Sequence, residues 1–207
     1  MEAASGTAPQ REFAVVALVA SAGGLDAVCR VLGGLPPGFG AAVVVLIHQD
    51  PHRVNQAVEL LGRCGALPVV VAEDGSGLRP GRVVVAPPGR HVLVTPALRT
   101  ALIVSGLAPP SRPSADLLLT TLAIAAGARA IGVVLSGGGH DGATGATAIH
   151  AFGGTVLATD EASSSSFSMP QAAIARDDAV DHVVALDDIA ALLQSLVDAR
   201  SAAAPPG

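Results

Sequence analysis

Residues 13–32 read FAVVALVASAGGLDAVCRVL, and this stretch is the strongest indication of the fold class. It begins with a continuous apolar run at residues 13–20, which has the length of a buried strand. Small residues at 21–24 (SAGG) interrupt the run, and apolar residues then recur at the spacing of a helix face, namely Leu25, Val28, Cys29 and Leu32. A buried strand, a tight turn and a helix in this order predict one unit of a parallel sheet that is covered by helices.

The rest of the chain repeats this alternation. Further strands are predicted at residues 41–47, 68–72, 130–135, 155–158 and 180–186, and further helices at residues 54–64, 114–127, 142–152, 169–176 and 187–199. Runs separated by proline and glycine predict a small antiparallel ribbon near residues 82–106, with strands at 83–86, 91–94 and 98–104. The pattern therefore favours an α/β fold with a mainly parallel, doubly wound sheet.

The length of 207 residues fits one domain. Residues 1–12 and 200–207 are rich in small residues and proline, and we predict that both are flexible tails. The folded domain is therefore predicted to cover residues 13–199.

The composition excludes several classes of protein. All twelve basic residues are arginine, so enzymes that need a Schiff-base lysine and P-loop nucleotide-binding proteins are excluded. A net charge of −5, scattered arginines and only four phenylalanines argue against a nucleic-acid partner. No apolar run approaches the roughly 20 residues of a membrane span, and no signal peptide is visible. We therefore expect a cytoplasmic protein that is not embedded in a membrane.

The two cysteines, Cys29 and Cys64, are too few for a zinc site or a disulfide framework. Both lie within apolar patterns of helical type, which predicts buried free thiols. We expect no metal site.

Polar side chains follow three of the predicted strands, where ligands and catalytic groups gather in an open parallel sheet. Ser21 follows the first strand, His48 follows the second, and Asp141 lies in the glycine-rich loop after strand 130–135. A hydroxyl, an imidazole and a carboxylate at one edge are the groups needed for nucleophilic acyl transfer. The sequence therefore indicates a serine hydrolase that needs no cofactor.

Each of these residues also has a simpler interpretation. Ser21 and Asp141 lie at helix starts and would also serve as N-caps, and a histidine such as His48 is often an ordinary loop residue. Asp160 is a rival for the role of the acid, because it too follows a predicted strand.

The glycine-rich loops are candidates for binding an oxyanion. Small residues after Ser21 leave backbone N–H groups free at a helix start, which points to Ala22 and Gly23. A dinucleotide-binding interpretation is weak, because the spaced glycines of that fingerprint are absent and Asp141 would repel a phosphate.

Seven sequence blocks in this order resemble the catalytic domain of chemotaxis protein-glutamate methylesterases of the CheB type. They are ASAGG (20–24), His48 with Pro51, AEDG (72–75), RPS (112–114) with Asp116, SGGGHDGA (136–143), EAS (161–163) and MPQAA (169–173). The likeness covers approximately residues 13–196. It implies a three-layer α/β/α sandwich with Ser21 as nucleophile, His48 as general base and Asp141 as the acid that orients the base.

The resemblance also implies the reaction and the partner. The expected substrates are glutamate γ-methyl esters on the cytoplasmic helices of methyl-accepting chemoreceptors, with deamidation of receptor glutamine as a second activity. The oxyanion of the tetrahedral intermediate would be held by N–H groups near Ala22 and in the glycine loop, where Gly138 and Gly139 are the candidates. The alternatives are hydrolysis of another ester or amide on the same scaffold, and a catalytically weak module that binds signalling proteins.

Four positions depart from the family pattern. Val19 stands where the family usually has glycine, Ala22 where it has threonine, Gly138 where it commonly has methionine, and His140 where asparagine is frequent. These changes leave the triad residue types intact but are compatible with weaker or altered activity. The short stretch before the first strand has no room for the family's receiver domain. The expectation is therefore an enzyme without phosphorylation control in cis, or one with a separate regulatory protein.

Overall fold

The computed structural model describes residues 13–49, 56–106 and 112–203. The predicted tail at residues 1–12 and the position of Pro51 lie outside this part of the chain. The strands are β1 (Val15–Ala20), β2 (Ala42–Ile47), β3 (Val69–Val71), β4 (Val83–Val85), β5 (Arg90–Val94), β6 (Thr100–Val104), β7 (Ala130–Val134), β8 (Thr155–Thr159) and β9 (His182–Val184). The helices are α1 (Gly24–Gly34), α2 (Ala57–Leu61), α3 (Ala115–Ala126), α4 (Ala143–Ala151), α5 (Ser168–Ile174) and α6 (Ile189–Ala203).

Seven of these strands form one sheet in the order β3-β4-β2-β1-β7-β8-β9, and every neighbouring pair is parallel. β5 and β6 form a separate antiparallel ribbon. The prediction of a ribbon near residues 82–106 is confirmed for these two strands but not for residues 83–85, which pair with β2 and β3 in the main sheet. The three valines of β4 are buried, and a short apolar run with both faces covered belongs in a parallel sheet.

Helices cover both faces of the sheet, which confirms the predicted three-layer α/β/α architecture. One face packs against α1, α2 and α6, and the other packs against α3, α4, α5 and the ribbon. All six residues of β1 are buried, because this central strand has a neighbour on each side and a helical layer on each face. Burial of this apolar surface is the main force that stabilises the domain.

The strand order reverses direction at β1, which lies between β2 on one side and β7 on the other. In open α/β sheets, the crevice beyond the carboxyl ends of the strands at such a point is the usual place for a ligand. The loops after β1, β2 and β7 therefore share the position that the fold favours for a site.

Cys29 and Cys64 form a disulfide, so the prediction of free thiols is wrong. The bond joins α1 to the turn after α2, and the two backbones approach closely at two glycines. A Cβ at Gly65 would lie 2.3 Å from the carbonyl oxygen of Leu32, and one at Gly33 would lie 2.8 Å from that of Cys64. The prediction failed because it considered the number of cysteines and not the contact between two segments 35 residues apart.

The ends of two predicted elements also differ in the structure. α6 continues to Ala203, so residues 200–203 belong to this helix and not to the expected tail, while residues 204–207 lie outside the described part. Arg200 donates a hydrogen bond to Thr155 Oγ1 at 2.7 Å, which ties the end of α6 to β8. α2 spans only Ala57–Leu61 of the predicted residues 54–64. Within the described residues, no helix combines the length and the apolar character needed to cross a membrane.

Candidate active site

Ser21 and His48 lie side by side at the carboxyl ends of β1 and β2. The last paired residues of these strands are Ala20 and Ile47, so the next position on each strand is Ser21 or His48. The backbone continues the pairing, because the N–H of His48 donates to the carbonyl of Ala20 at 3.0 Å. Neighbouring strands are about 4.8 Å apart, which places the two side chains within reach of each other.

His48 contacts Asp141, which lies on the loop after β7. The distance from His48 Nε2 to Asp141 Oδ2 is 2.8 Å, and the two side chains are 12% and 8% exposed. A carboxylate accepts hydrogen bonds, so the imidazole proton of this contact belongs on Nε2. This proton position leaves Nδ1 of His48 as the nitrogen that can accept a proton from a serine.

Asp141 is held by the first turn of α3. Its Oδ2 accepts the backbone N–H of Ala115 at 2.6 Å, and its Oδ1 accepts the N–H of Asp116 at 3.0 Å and the hydroxyl of Ser114 at 3.2 Å. The N–H groups at a helix start have no partner within the helix and favour a negative charge. Four donors, including His48, therefore fix the carboxylate in one orientation.

Two opposing effects set the pKa of the Asp141 carboxyl. Burial raises this pKa, whereas the hydrogen bonds from His48 and from the backbone N–H groups of Asp116 and Ala115 lower it. The hydrogen bonds prevail, so the pKa lies below its ordinary value. Asp141 is consequently a carboxylate at neutral pH and can stabilise a protonated His48.

The interpretations of Ser21 and Asp141 as caps of their own helices do not hold. The N-cap of α1 is Gly23, and the N-cap of α4 is Gly142, which has a φ of 105° that a glycine adopts without strain. Both N-cap residues are glycines, so neither helix is capped by the side chain of its own N-cap residue. Asp141 instead satisfies the N–H groups of a different helix, α3.

The hydrogen bond between Ser21 Oγ and His48 is not formed in this structure. The backbone of Ser21 is fixed, because its N–H donates to the carbonyl of Ser136 at 2.9 Å and its own carbonyl accepts the N–H of Gly24 at 2.8 Å. Hydrogen bonds between catalytic groups often tighten only when a substrate is bound.

Within the two loops predicted to bind an oxyanion, some backbone N–H groups already donate a hydrogen bond and others do not. The N–H of Gly137 donates to the carbonyl of Ser166, and that of Gly139 donates to Ser168 Oγ, both at 2.9 Å. Among the described residues, the N–H groups of Ala22, Gly23 and Gly138 have no acceptor. The turn that leads into α1 and Gly138 therefore offer donors to an anion, whereas Gly139 is already engaged.

Asp160 and His140 also lie near this edge but are not part of the cluster. Asp160 accepts hydrogen bonds from the N–H and the hydroxyl of Ser163, within its own loop. His140 is exposed, and its side chain forms no hydrogen bond with Asp141 in the part of the chain that the structure describes. The structure thus brings His48 together with Asp141 and not with Asp160.

Sequence reasoning missed three residues that build the site. Ser136 donates to the carbonyl of Ala22 at 2.8 Å and accepts the N–H of Ser166 at 2.9 Å, so it joins the loops after β1 and β7. Ser114 and Asp116 bind the acid, as described above. A serine before an apolar helix is an N-cap signal that identifies Ser114, but its contact with Asp141 depends on the tertiary structure.

Comparison with known proteins identifies relatives along nearly the whole chain. Residues 16–193 match the family described as CheB methylesterase. Protein-glutamate methylesterase/protein-glutamine glutaminase 1 of Myxococcus xanthus (strain DK1622) is 41% identical over 191 residues, which are 90% of this chain and 54% of that protein. Protein-glutamate methylesterase FrzG of Myxococcus xanthus is 38% identical over 197 residues, which are 95% of this chain and 59% of that protein.

The fold is also that of a solved structure. The Thermotoga maritima CheB methylesterase catalytic domain superposes with a TM-score of 0.84 at 30% sequence identity, covering 89% of this chain and 99% of that one. The chain spans about half the length of the curated relatives it matches. The resemblance seen in the sequence blocks is thereby confirmed.

Proposed function

Because this chain belongs to the CheB methylesterase family, we propose that it is a serine hydrolase that removes methyl groups from glutamate γ-methyl esters of chemoreceptors. The names of its relatives also include a protein-glutamine glutaminase, so deamidation of receptor glutamine belongs to the proposal. The observation that carries it is the buried 2.8 Å contact between His48 and Asp141, next to Ser21 on the adjacent strand.

In the proposed reaction, Ser21 Oγ attacks the ester carbonyl while its proton passes to Nδ1 of His48. Asp141 stabilises the imidazolium that forms, without accepting its proton. Collapse of the tetrahedral intermediate expels methanol, which takes the proton from His48 and leaves a glutamyl ester on Ser21. Water then hydrolyses this ester by the same steps, which yields glutamate and the free serine.

The unpaired N–H groups of Ala22 and Gly138 are our candidates for the oxyanion hole. Both lie on loops beside Ser21, since a Cβ at Gly137 would lie 2.9 Å from the Cβ of Ser21. Loss of one such donor typically costs about 3–4 kcal/mol of transition-state stabilisation. Ala22 and Gly138 are therefore assigned through their backbone, which substitution of the side chain leaves in place.

The proposed partners are the cytoplasmic helices of methyl-accepting chemoreceptors, which places the reaction in the cytoplasm. The proposal needs no metal and no cofactor, because nucleophile, base and acid all come from the chain. We do not propose a nucleic-acid partner, since the net charge is −5.

A second candidate is hydrolysis of another ester or amide on the same scaffold. The observation that favours it is Gly138, where a Cβ would have no atom within 4 Å. The missing side chain leaves open space beside the candidate oxyanion donors. In this second proposal, the open space admits a leaving group larger than methanol.

The proposal is tested by methanol release from a methylated chemoreceptor, measured for the wild type and for Ser21→Ala. We expect release by the wild type and none above background by Ser21→Ala. Ser195→Ala is the matched control, because its hydroxyl contacts only the carbonyl of Ala191 on the surface of α6. Equal release by Ser21→Ala and the wild type would overturn the role of Ser21.

A fluorophosphonate label distinguishes an enzyme from a binding module. Labelling of the wild type that is lost in Ser21→Ala supports a serine hydrolase, and absence of labelling in folded protein supports the module. If the wild type is labelled and cleaves small esters but releases no methanol from the receptor, the second candidate is correct.

A further inference from the structure

The first turns of α3 and α4 bind each other through two carboxylates. Asp141, which precedes α4, accepts the N–H groups of Ala115 and Asp116 at the start of α3. Asp116, in the first turn of α3, accepts the N–H groups of Gly142 at 2.9 Å and Gly145 at 2.8 Å at the start of α4. Asp141 thus adds to the cap that Ser114 provides for α3, and Asp116 supplies the side-chain acceptor that the glycine N-cap of α4 lacks.

This exchange requires the two helices to lie very close. A Cβ at Gly145 would lie 2.5 Å from the Cβ of Leu119 and 3.2 Å from the Cα of Asp116. Only glycine fits this position, and its absent side chain lets Asp116 reach the N–H groups of α4. The close approach of α3 and α4 therefore allows the hydrogen bonds of Asp116 in addition to packing in the core.

The contact also fixes the neighbour of the catalytic acid. Gly142 follows Asp141 directly, so its N–H group belongs to the peptide bond that joins these two residues. A hydrogen bond to Gly142 holds this backbone against α3, while Asp141 is held by the same helix through its side chain. The first turn of α3 thus holds the loop at two points, namely the side chain of Asp141 and the peptide bond that follows it.

We infer that Asp116 is a positioning residue of the proposed hydrolase, whose carboxylate holds the loop of Asp141 where this acid can orient His48. The inference rests on the proposed function for its effect on turnover, but the contact it concerns is a property of the fold. A displacement of about 1 Å in a catalytic group lowers the rate by about 100-fold. Loss of the two hydrogen bonds at Asp116 removes the contact that holds the backbone after Asp141 against α3, and we expect the loop to shift enough to misplace Asp141.

The test compares Asp116→Ala, Asp116→Asn and Asp116→Glu, with p-nitrophenyl acetate as the substrate. The alanine variant loses both hydrogen bonds, and we expect kcat to fall by about 100-fold with KM within about twofold. The asparagine variant retains an acceptor oxygen of the same reach, and we expect at least a tenth of the wild-type kcat. The glutamate variant retains the charge but moves it by one methylene, and we expect a kcat between those of the other two variants.

Asp181→Ala is the matched control. Asp181 Oδ2 accepts the backbone N–H of Val156 at 2.7 Å, a bond of similar kind near the start of β8, at the other end of the sheet. We expect it to lower the melting temperature but to leave kcat within about threefold of the wild type. A fall of kcat in Asp181→Ala equal to that in Asp116→Ala would overturn the inference.

A spectroscopic measurement separates this inference from the proposed function. The low-field NMR resonance of the His48 Nε2 proton reports its hydrogen bond to Asp141 even in a chain without esterase activity. We expect it to be sharp in the wild type and Asp116→Asn, and broadened or lost in Asp116→Ala. An unchanged resonance in folded Asp116→Ala would overturn the inference. If that variant does not fold, unchanged resonance and kcat in Asp116→Glu would do so.

Discussion

Asp141 and Asp160 follow neighbouring strands, β7 and β8, at the same edge of the sheet, but their surroundings differ. Asp141 is 8% exposed and binds His48 and the start of α3, which are elements distant from it in sequence. Asp160 binds only Ser163, three residues further along its own loop, through its side chain. A carboxylate at a strand end thus becomes a candidate catalytic acid only when a second element holds it in contact with a histidine on another strand.

The pKa of both carboxyl groups lies below the ordinary value, for different reasons. Hydrogen bonds from the hydroxyl and the N–H of Ser163 lower the pKa of Asp160, and burial has little effect there. At Asp141, burial opposes the lowering and is outweighed by His48 and the N–H groups of α3. A low pKa therefore does not identify the acid, whereas the partner of the carboxylate does.

The largest expected effect is a fall of kcat when the charge of Asp141 is removed, compared with removal of the charge of Asp160. We expect Asp141→Asn to lower kcat by about 10³- to 10⁴-fold, because the orientation of His48 and the stabilisation of its charged form are lost. We expect Asp160→Asn to change kcat by less than about threefold. Ester hydrolysis by the two purified variants measures both values, and the reverse ranking would show that our assignment of the acid is wrong.

The second effect concerns stability, and it tests whether the different roles of Asp141 and Asp160 are independent of a crosslink elsewhere in the fold. The disulfide between Cys29 and Cys64 lies on the α1 face of the sheet and closes a loop of 35 residues. We expect its reduction by a dithiol to lower the free energy of unfolding by about 3–4 kcal/mol.

The ratio of the Asp141→Asn and Asp160→Asn activities should not change on reduction. Denaturant titrations with and without the dithiol measure the stability, and the double variant Cys29→Ala/Cys64→Ala is the control that should not respond. A response of the double variant would mean that the dithiol acts elsewhere.

The third effect tests the glycines that precede Asp141 within its own loop. A Cβ at Gly137 would lie 2.6 Å from Met169 Sδ and 2.9 Å from the Cβ of Ser21, whereas one at Gly138 meets nothing within 4 Å. We expect Gly137→Ala to cost about 1–3 kcal/mol of stability and to lower labelling of Ser21. Gly138→Ala should cost about 0.5 kcal/mol or less. Thermal unfolding of both variants decides the point, and equal losses would contradict it.

The smallest effect is expected in the acid dependence of stability. A carboxyl group whose pKa is lowered on folding contributes stability above the pKa of the unfolded chain, about 3.9, and this contribution is lost as the pH falls through the folded pKa. We therefore expect the difference in melting temperature between the wild type and Asp141→Asn to shrink below about pH 4. The corresponding difference for Asp160→Asn should be smaller at every pH, because that group is more exposed. A constant difference for Asp141 from pH 7 to pH 2 would contradict the stated cause of its pKa.

The strand and helix pattern was predictable because it depends on local chemistry. The apolar run before Ser21 has the length of a buried strand, and the small residues after it favour a turn. Ser114 was predictable as the start of α3, since the chain places a serine before an apolar helix. Such signals lie within a few residues of the element that they define.

The errors concern contacts between distant segments. Residues 83–85 have the composition of a ribbon strand and also of a central strand, and only their burial between β2 and β3 decides between these. The cysteine pair failed for the same reason, because helical periodicity says which side a thiol faces but not which other thiol lies opposite. Asp116 belongs to one of the sequence blocks, but its contacts could not be predicted from that block. Its partners, Gly142 and Gly145, belong to a helix that begins after an intervening strand and loop.

The α/β class, the family, and the presence of a hydroxyl, an imidazole and a carboxylate at strand ends follow from the amino-acid sequence alone. These follow from apolar periodicity and from short blocks, which are properties of neighbouring residues. Only the tertiary structure decided that His48 binds Asp141 and not Asp160, that Gly139 is engaged while Gly138 is free, and that Cys29 and Cys64 are joined. Hydrogen bonds and disulfides form over a few ångströms, and the packing of the sheet and helices sets which distant residues come that close.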